Sequence, residues 1–252
     1  MEKKIAIITG GSRGLGRSAA IKLAERGVDV IFTYRTRKDD ADAVAAQMQR
    51  FGAQGLALPL DVGDSSTFAS FGERVKAELQ SRWQRESFDY LVNNAGSGIN
   101  APFAETSEAQ FDLMMNVHLK GVFFLTQTLL PLLADGGKIL NVSSGLARFS
   151  LPGFAAYASM KGAVEVLTRY LAKELGGRGI SVNVLAPGAI ATDFGGGAVR
   201  DNPELNAFIA SQTALGRVGQ PDDIGGAIAS LLSDDCRWIN AQRIEPSGGV
   251  FI

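Results

Sequence analysis

Cysteine, excess charge and long apolar runs are all scarce in this sequence. Cys236 is the only cysteine among 252 residues, so no disulfide can form within the chain, and a reducing compartment suits it. The chain has 25 Lys and Arg against 26 Asp and Glu, which gives a net charge of −1. Because no basic run stands out either, binding to a nucleic acid is not expected.

The apolar runs are too short for a membrane span or a secretory signal. After its basic start the chain is apolar only to Ile8, and no later stretch reaches spanning length without charge or punctuation. Hydrophobic residues nevertheless make up 46% of the chain, which is enough for a substantial core. These features predict a globular protein of the cytoplasm with no membrane partner.

Short runs rich in Val and Ile alternate with longer segments that have helical spacing. Strands are predicted at residues 3–9, 28–34, 54–60, 88–94, 137–143, 180–186 and, more weakly, 241–246. Helices are predicted at about 17–28, 38–51, 65–82, 106–134, 152–176 and 222–234. Near-continuous apolar strands indicate a parallel sheet that is buried on both faces. The pattern predicts an α/β protein: a single-domain doubly wound Rossmann fold over residues 1–252, with a seven-stranded, mainly parallel sheet and helices on both faces.

Two segments interrupt this alternation. Residues 195–217 begin with three glycines and continue with helical spacing after a strand has ended. Such a segment is typical of a mobile lid over a ligand, which we place at about residues 190–217, although a surface helical insertion would show the same pattern. Residues 77–90 have the pattern of a helix end followed by a polar loop, to which we assign no chemistry.

A glycine-rich loop follows the first predicted strand. Gly10, Gly14 and Gly16 fall between the strand end and the helix start, where the backbone has to turn tightly and approach a ligand. The helix N-terminus there offers free N–H groups and partial positive charge to a pyrophosphate. A second glycine register, from Gly14 to Ala19, begins too late after the strand. Glycine also closes ordinary turns, so the position at the first strand–helix junction is what favours a dinucleotide site.

The end of the second predicted strand indicates which dinucleotide is preferred. A site for NAD usually has an acidic residue here for the ribose 2′-hydroxyl, whereas this chain has Arg35 and no acid at the tip. Arg13, within the glycine loop, could reach the same place. A guanidinium matches the two-pronged geometry of a phosphate, so NADP(H) is favoured over NAD(H). The alternative is a pair of solvated surface arginines.

Tyr157 and Lys161 are four residues apart in a predicted helix and therefore share one face. The ordinary interpretation is an aromatic ring lying on the aliphatic part of an exposed lysine. The second interpretation is a phenol whose proton is loosened by a neighbouring cation, as general acid–base catalysis requires. The pair alone does not decide between them.

Along essentially its whole length the sequence resembles the classical short-chain dehydrogenase/reductase family. The matching stretches are TGGSRGLG (9–16), LDV (60–62), NNAG (93–96), MNVHLKG (115–121), NVSSG (141–145), YASMK (157–161) and LAPGAIAT (185–192). Any one of them could be accidental, but their joint order and spacing, including thirteen positions from Ser144 to Tyr157, are highly specific.

The resemblance implies a set of site residues. Tyr157 is similar to the family's catalytic acid/base, Lys161 to its activator and nicotinamide-ribose ligand, and Ser144 to the residue that holds the substrate carbonyl. Asn116 is similar to the asparagine that completes the catalytic tetrad and anchors a water. From the loops described above and from the resemblance, the expected cofactor contacts are Gly10, Ser12, Arg13, Gly14, Leu15, Gly16, Arg35, Asp61, Val62, Asn94, Ala95, Gly96, Tyr157, Lys161, Pro187, Gly188, Ile190 and Thr192.

The expected reaction is hydride transfer between NADP(H) and a carbonyl or secondary alcohol. The lysine cation and the positive ring of an oxidised cofactor are expected to lower the pKa of Tyr157, and Ser144 is expected to hold the carbonyl oxygen. In the purely structural interpretation these residues only satisfy backbone groups or fill a helix. His118, the only histidine, is two positions from Asn116 and is expected to be structural or adjacent to the substrate. No grouping of His, Cys, Asp and Glu has metal-ligand spacing, so no catalytic metal is expected.

The substrate and the assembly are the least patterned parts of the sequence. Leu146, Phe149, Phe154 and Phe194 are expected to line an apolar-walled pocket for a small molecule. The resemblance points to 3-oxoacyl-thioester reductases and to sugar or alcohol dehydrogenases. It also implies a homotetramer or homodimer, although residues 238–252 depart from the usual glycine-rich ending at Asn240, Arg243 and Pro246. The alternative function is a non-catalytic redox sensor or scaffold that binds the dinucleotide, which would not need the proton donor.

Overall fold

Seven parallel strands form the central sheet in a computed structural model of the protein, which describes residues 3–252. The strands are β1 (Ile5–Ile8), β2 (Asp29–Tyr34), β3 (Gly55–Pro59), β4 (Phe88–Asn93), β5 (Leu133–Val142), β6 (Ser181–Leu185) and β7 (Arg243–Ile244). The order across the sheet is β3-β2-β1-β4-β5-β6-β7, and each neighbouring pair is parallel. The predicted fold class is confirmed, and the sheet is parallel throughout.

Helices cover both faces of the sheet. They are α1 (Gly14–Ala24), α2 (Lys38–Gln49), α3 (Phe68–Glu78), α4 (Glu108–Met115), α5 (Gly121–Leu129), α6 (Ala155–Leu175), α7 (Ala198–Asp201), α8 (Pro203–Ser211) and α9 (Pro221–Leu231). Two π-helical segments, Leu79–Trp83 and Asn116–Lys120, follow α3 and α4 directly. All seven strands run in the same direction. The loops that follow the strands therefore all lie at the carboxyl end of the sheet.

The apolar strands are buried from both sides, which explains why their sequences do not alternate. Ala6 and Ile8 of β1 face the core formed with α1, α2 and α9. Ile5 and Ile7 face the opposite core, formed with α3, α5 and α6. All four side chains are fully buried, and each isoleucine stabilises the fold by roughly 1.5–3 kcal/mol.

The long helix predicted at residues 106–134 is divided in the structure. α4 ends at Met115, the π-helical segment carries the chain to Lys120, and α5 ends at Leu129. A single 3₁₀ turn that contains Pro131 follows, and Leu133 is already the first residue of β5. Proline has no N–H to donate, so a helix cannot continue normally through this point.

The sheet order reverses between β1 and β4. In open parallel sheets the ligand crevice lies at such a switch point, beyond the carboxyl ends of the strands. The glycine loop follows β1 and the Asn94 loop follows β4, so both border this crevice. The loops after β5 and β6 lie further along the same edge.

Helices α1 and α9 pack unusually close together. A Cβ atom at Gly225 would lie 2.2 Å from Ser18 Oγ, so the crossing requires glycine. The Ser18 hydroxyl also donates a hydrogen bond to Asp222 Oδ1 at 2.6 Å, in the first turn of α9. The position of α1, whose N-terminus borders the crevice, is therefore set by α9.

Candidate functional site

The glycine loop forms a cradle at the N-terminus of α1. Gly10 and Gly14 have φ values of +67° and +55°, which glycine adopts without strain. A Cβ atom at Gly16 would lie 2.3 Å from the Gly10 carbonyl oxygen. No side chain caps the first turn of α1, since the N-cap residue Arg13 makes no such bond, and the backbone N–H groups there remain available. The free backbone N–H groups can donate hydrogen bonds to a pyrophosphate, and the absence of a side chain at Gly16 leaves the space for the loop's tight turn. Both features are typical of a dinucleotide site.

Asn94 joins this cradle to the end of β4. Its side-chain amide donates to the Thr9 carbonyl at 2.8 Å and to the Gly10 carbonyl at 3.2 Å. Thr9 Oγ1 in turn accepts from the backbone N–H groups of Asn94 and Ala95, both at 2.9 Å. These bonds fix the two loops on either side of the switch point, where Ala95 was predicted to contact the cofactor.

The other predicted cofactor residues border the same crevice from further loops. Asp61 follows β3, and its carboxylate accepts from Gly63 N at 2.9 Å. The chain after β6 crosses toward the glycine loop, and a Cβ atom on Gly14 would lie 3.8 Å from Thr192. Pro187 accepts a hydrogen bond from Gly145 N at 3.0 Å, which ties this crossing segment to the loop after β5.

Positive charge surrounds the predicted ribose site, and one of the residues that supply it was missed by the sequence analysis. Arg13 Nη1 lies 3.4 Å and Arg37 Nη1 lies 3.9 Å from Asp193 Oδ2. Arg35, the predicted ligand, is exposed two residues before Arg37. Asp193, in the predicted lid, pairs most closely with Arg200, and Arg37 lies closer to Asp40, at 3.3 Å, than to Asp193. Arg37 could not be distinguished from a solvated arginine, because only the fold shows that it lies near Arg13.

Three predicted catalytic residues meet where α6 begins. Tyr157 lies in the first turn of α6 and is 7% exposed. Ser144, which follows β5, interacts with the phenol of Tyr157 and lowers its pKa, and Ser144 Oγ accepts from Leu146 N at 3.2 Å. Lys161 Nζ lies 5.5 Å from the centroid of the Tyr157 ring and donates to the Val142 carbonyl at 2.7 Å. The sequence interpretation of an exposed lysine stem is therefore wrong, because Lys161 is buried.

Burial dominates the proton equilibria of this group. It raises the pKa of Tyr157 to about 12, and the hydrogen bond with Ser144 opposes the shift. It lowers the pKa of Lys161 to about 7, so this amine is only partly protonated at neutral pH. Among the protein's own groups burial is the larger influence on Tyr157, and the expectation that Lys161 and an oxidised cofactor together lower its pKa stays a prediction.

The segment that contains Asn116 is a π-helical turn rather than part of a continuous α-helix. The Gly121 N–H donates to the Asn116 carbonyl across five residues. Such turns are frequent at functional sites because they insert one extra residue and redirect the side chains. The sequence offered no signal for this turn.

His118 lies in the same turn and is packed against the predicted acid. Its ring meets the Tyr157 ring edge-on, with centroids 5.0 Å apart and planes at 87°. Nε2 lies 2.6 Å from the Ser97 carbonyl, which requires Nε2 to carry the proton and leaves Nδ1 as an acceptor. Burial, followed by the charge of Lys161, lowers the pKa of His118 to about 3, so the ring is neutral. His118 was expected to be structural or adjacent to the substrate, and the structure shows it as a buried neutral group packed against Tyr157.

The four residues predicted to line the substrate pocket lie in different segments, and one of them, Phe194, contacts the Tyr157 ring. The Phe194 ring lies 5.7 Å from the Tyr157 ring at 56° and is 42% exposed. Phe149 packs against Phe251 with centroids 4.8 Å apart, and Leu146 packs in the cluster around Tyr157. Phe154 is the residue that precedes α6. A Cβ atom at Gly98 would lie 2.8 Å from the Phe194 ring, so the ring's position depends on that glycine.

Two kinds of feature are absent from residues 3–252. They contain no cluster of three or more His, Cys, Asp or Glu side chains arranged to bind a metal ion. No helix in this part of the chain is both long and apolar enough to cross a membrane.

The chain is similar to known oxidoreductases over nearly its full length. The family model described as enoyl-(acyl carrier protein) reductase matches residues 10–250. A 3-oxoacyl-[acyl-carrier-protein] reductase of Staphylococcus aureus is 36% identical over 251 residues, which cover 99% of this chain and 98% of that protein.

Solved structures give the same result. The angucycline C-6 ketoreductase LanV with bound NADP matches with a TM-score of 0.93 and 35% identity, over 98% of this chain and 95% of that one. A short-chain dehydrogenase/reductase from Serratia marcescens matches with a TM-score of 0.90 and 31% identity, over 99% of this chain and 98% of that one.

Proposed function

The chain belongs to the short-chain dehydrogenase/reductase family, and we propose that it uses NADPH to reduce a ketone, with Tyr157 as the proton donor. The observation that carries this proposal is the meeting of Tyr157, Ser144 and Lys161 beside a cradle that fits a dinucleotide. A dinucleotide-binding protein without catalysis has no need of a buried phenol that lies beside a buried lysine at this place.

The chain's own residues have separable parts in this reaction. NADPH, when bound, supplies the hydride. Tyr157, with a pKa of about 12, stays protonated at neutral pH and donates its proton to the carbonyl oxygen. Ser144 holds that oxygen and stabilises the charge that develops on it. The high pKa favours reduction over oxidation, since oxidation of an alcohol needs the phenolate as a base.

Lys161 and Asn116 complete the proton path in this proposal. With a pKa of about 7, the amine of Lys161 accepts and releases protons readily at neutral pH. It therefore restores the proton that Tyr157 has donated, in addition to holding the nicotinamide ribose. Asn116, in its π-helical turn, anchors the water that connects this path to solvent. Lys161 thus acts as a relay rather than as a fixed cation.

The preference for NADP(H) rests on the arginines around the ribose site. Arg13, Arg35 and Arg37 offer guanidinium groups to a 2′-phosphate, and two of them, Arg13 and Arg37, lie within 3.9 Å of the Asp193 carboxylate. The proposal is supported by the NADP bound to the similar ketoreductase. We expect Arg35→Ala to weaken NADPH binding far more than NADH binding, as measured by fluorescence titration. Equal losses for the two cofactors would contradict this assignment.

The aromatic walls favour a ketone with a flat apolar body. Phe194 lies against the ring of the predicted acid, and Phe149 packs against Phe251 in the loop after Ser144; such aromatic surfaces stack well on fused aromatic rings. The similar angucycline ketoreductase supports a substrate of this class. The 3-oxoacyl-[acyl-carrier-protein] reductases supply the competing class, an acyl thioester.

The test is NADPH oxidation followed at 340 nm with aromatic ketones, acetoacetyl thioesters and sugars as substrates. We expect turnover of the aromatic ketones and a loss of at least about a hundredfold in Tyr157→Phe, because proton donation contributes about 10²–10⁴-fold. Turnover that survives Tyr157→Phe would reject the mechanism. NADPH binding without turnover on any carbonyl would favour the redox sensor.

We also propose that the protein is a homotetramer or homodimer of the cytoplasm. Tyr170 and Val166 lie one turn apart on α6 and are 65% and 44% exposed, and Trp238 is 96% exposed. Large apolar side chains exposed in this way mark association surfaces. Light scattering should show an assembly that Tyr170→Asp weakens. The single cysteine is the reason for proposing a reducing compartment.

A further inference from the structure

Arg243 connects the two elements that carry the catalytic side chains. It is the first residue of β7, in the segment that departs from the usual ending of the family. Its Nε donates to Glu165 Oε1 of α6 at 2.8 Å, and its Nη2 donates to the carbonyl oxygen of Ser144 at 3.3 Å. One planar guanidinium therefore bonds both α6 and the backbone of the serine that holds the substrate oxygen.

Glu165 lies on the same face of α6 as the catalytic residues. Tyr157, Lys161 and Glu165 follow one another at intervals of four residues, so they form one row along the helix. Glu165 Oε1 also accepts a hydrogen bond from Ser143 Oγ at 2.7 Å. This carboxylate is thus fixed by Ser143 and Arg243 together, immediately behind the catalytic serine.

A second carboxylate holds the other side of Arg243. Arg243 Nη1 bonds Glu245, and Glu245 Oε1 is paired with Arg148 Nη2 at 2.9 Å. Arg148 lies in the loop that runs from Ser144 toward α6, and it also donates to the Val250 carbonyl at 3.3 Å. The network therefore runs from α6 through β7 to the substrate side of the site, with Arg243 in the middle.

We propose that Arg243, through Glu165 and the Ser144 carbonyl, is a positioning residue that keeps the Ser144 hydroxyl aligned with Tyr157. This inference rests on the proposed reduction for its kinetic consequences. A guanidinium suits the task because its donors lie in one rigid plane, whereas the three donors of an ammonium are not held in a fixed fork. Charge-assisted bonds to carboxylates are also stronger than neutral ones, so the alignment resists thermal displacement.

The main test is Arg243→Met, which keeps the chain length but removes the donors. We expect kcat to fall about tenfold or more while the KM for NADPH stays the same, because a displacement of about 1 Å can cost up to 10²-fold in rate. Arg243→Lys should recover part of the loss. In a Ser144→Ala background the change should have little further effect on kcat, since the group that it positions is gone.

Arg178→Met is the matched control. Arg178 also bridges separate segments, bonding Asp135 at 2.7 Å and the Leu130 carbonyl at 3.1 Å, but it lies at the opposite end of β5. The Arg178→Met variant should have a lower melting temperature than the wild type but the same kcat. The proposal is overturned if Arg243→Met lowers only the melting temperature and leaves kcat unchanged. It is also overturned if the factors by which Arg243→Met and Ser144→Ala each lower kcat multiply fully in the double variant. Glu165→Gln, which keeps the volume and an acceptor, is the second variant if Arg243→Met does not fold.

A measurement without turnover separates this inference from the proposed function. The ¹³Cζ chemical shift of Tyr157, assigned with Tyr157→Phe, reports its hydrogen bond with Ser144. Arg243→Met should move it in the same direction as Ser144→Ala does. Absence of turnover in the wild-type protein would reject the proposed function alone, whereas an unmoved Tyr157 signal would reject the positioning role.

Discussion

Replacing Lys161 with methionine should change how the stability of the protein depends on pH. Burial lowers the pKa of Lys161 to about 7 in the folded protein, from 10.5. Between these two values the unfolded chain binds a proton that the folded protein mostly lacks, so the free energy of unfolding rises with pH by up to about 1.4 kcal/mol per unit. Below pH 7 both the folded and the unfolded protein bind this proton, and Lys161 then lowers the free energy of unfolding by its largest amount.

The size of the effect follows from these two pKa values. Integrated to pH 7, the ionisation of Lys161 destabilises the folded protein by about 4 kcal/mol, and by about 2 kcal/mol at pH 9. Lys161→Met removes this dependence but leaves the Val142 carbonyl without its donor, which costs about 1–3 kcal/mol. The variant should therefore be inactive, yet about as stable as the wild type or more so at pH 7. Relative to the variant, the wild type should gain about 2 kcal/mol between pH 7 and pH 9.

Urea denaturation at pH 7, 8 and 9, at equal protein concentrations, measures this difference. The neighbouring groups do not titrate between pH 7 and pH 9, because the pKa of Tyr157 is raised to about 12 and that of His118 is lowered to about 3. The difference therefore reports Lys161. Equal concentrations are needed because any assembly makes stability depend on concentration. Parallel curves for the two proteins would mean that Lys161 keeps its ordinary pKa, and the proposed relay would then have no basis.

Two further predictions concern glycines. In Gly225→Ala the new Cβ would lie 2.2 Å from Ser18 Oγ, so we expect a loss of about 1–3 kcal/mol in stability together with weaker NADPH binding, measured by denaturation and fluorescence titration. Gly226→Ala, where no atom lies within 4 Å, is the control and should stabilise the helix by about 0.5–1 kcal/mol; similar losses in both would argue against the tight crossing. In Gly98→Ala the new Cβ displaces Phe194, so kcat/KM for bulky aromatic ketones should change about tenfold or more, while that for small ketones should not. An equal change for both sizes would remove Phe194 from the substrate wall.

The fold could be predicted from the sequence because its strands are short, apolar and buried on both sides. The run at residues 3–9 contains β1, and the run at 180–186 contains β6, each to within two residues at either end. The predicted α6, at residues 152–176, likewise contains Ala155–Leu175. In each case the local pattern and the tertiary environment favour the same element.

The details of the site were less accessible to the sequence. The π-helical turn at Asn116 leaves no local signature, and the Glu165 partner of Arg243 is 78 residues away in the chain. The pKa of Tyr157 in the protein alone depends on how completely the surrounding fold removes water, which the spacing of Lys161 does not show. The four-residue spacing in the sequence showed that Tyr157 and Lys161 lie side by side, but it did not show how far their side chains are removed from water.

The close crossing of α1 and α9 has a consequence for biosynthesis. The pyrophosphate cradle belongs to the first tenth of the polypeptide, yet the helix behind it is braced by Asp222 and Gly225, close to the opposite terminus. Because contacts between segments so far apart in the sequence form late in folding, we expect the glycine loop to become fixed only after residues 221–231 have been synthesised and have docked. A ligand that binds the glycine loop only when α1 and α9 have docked should in turn stabilise that crossing.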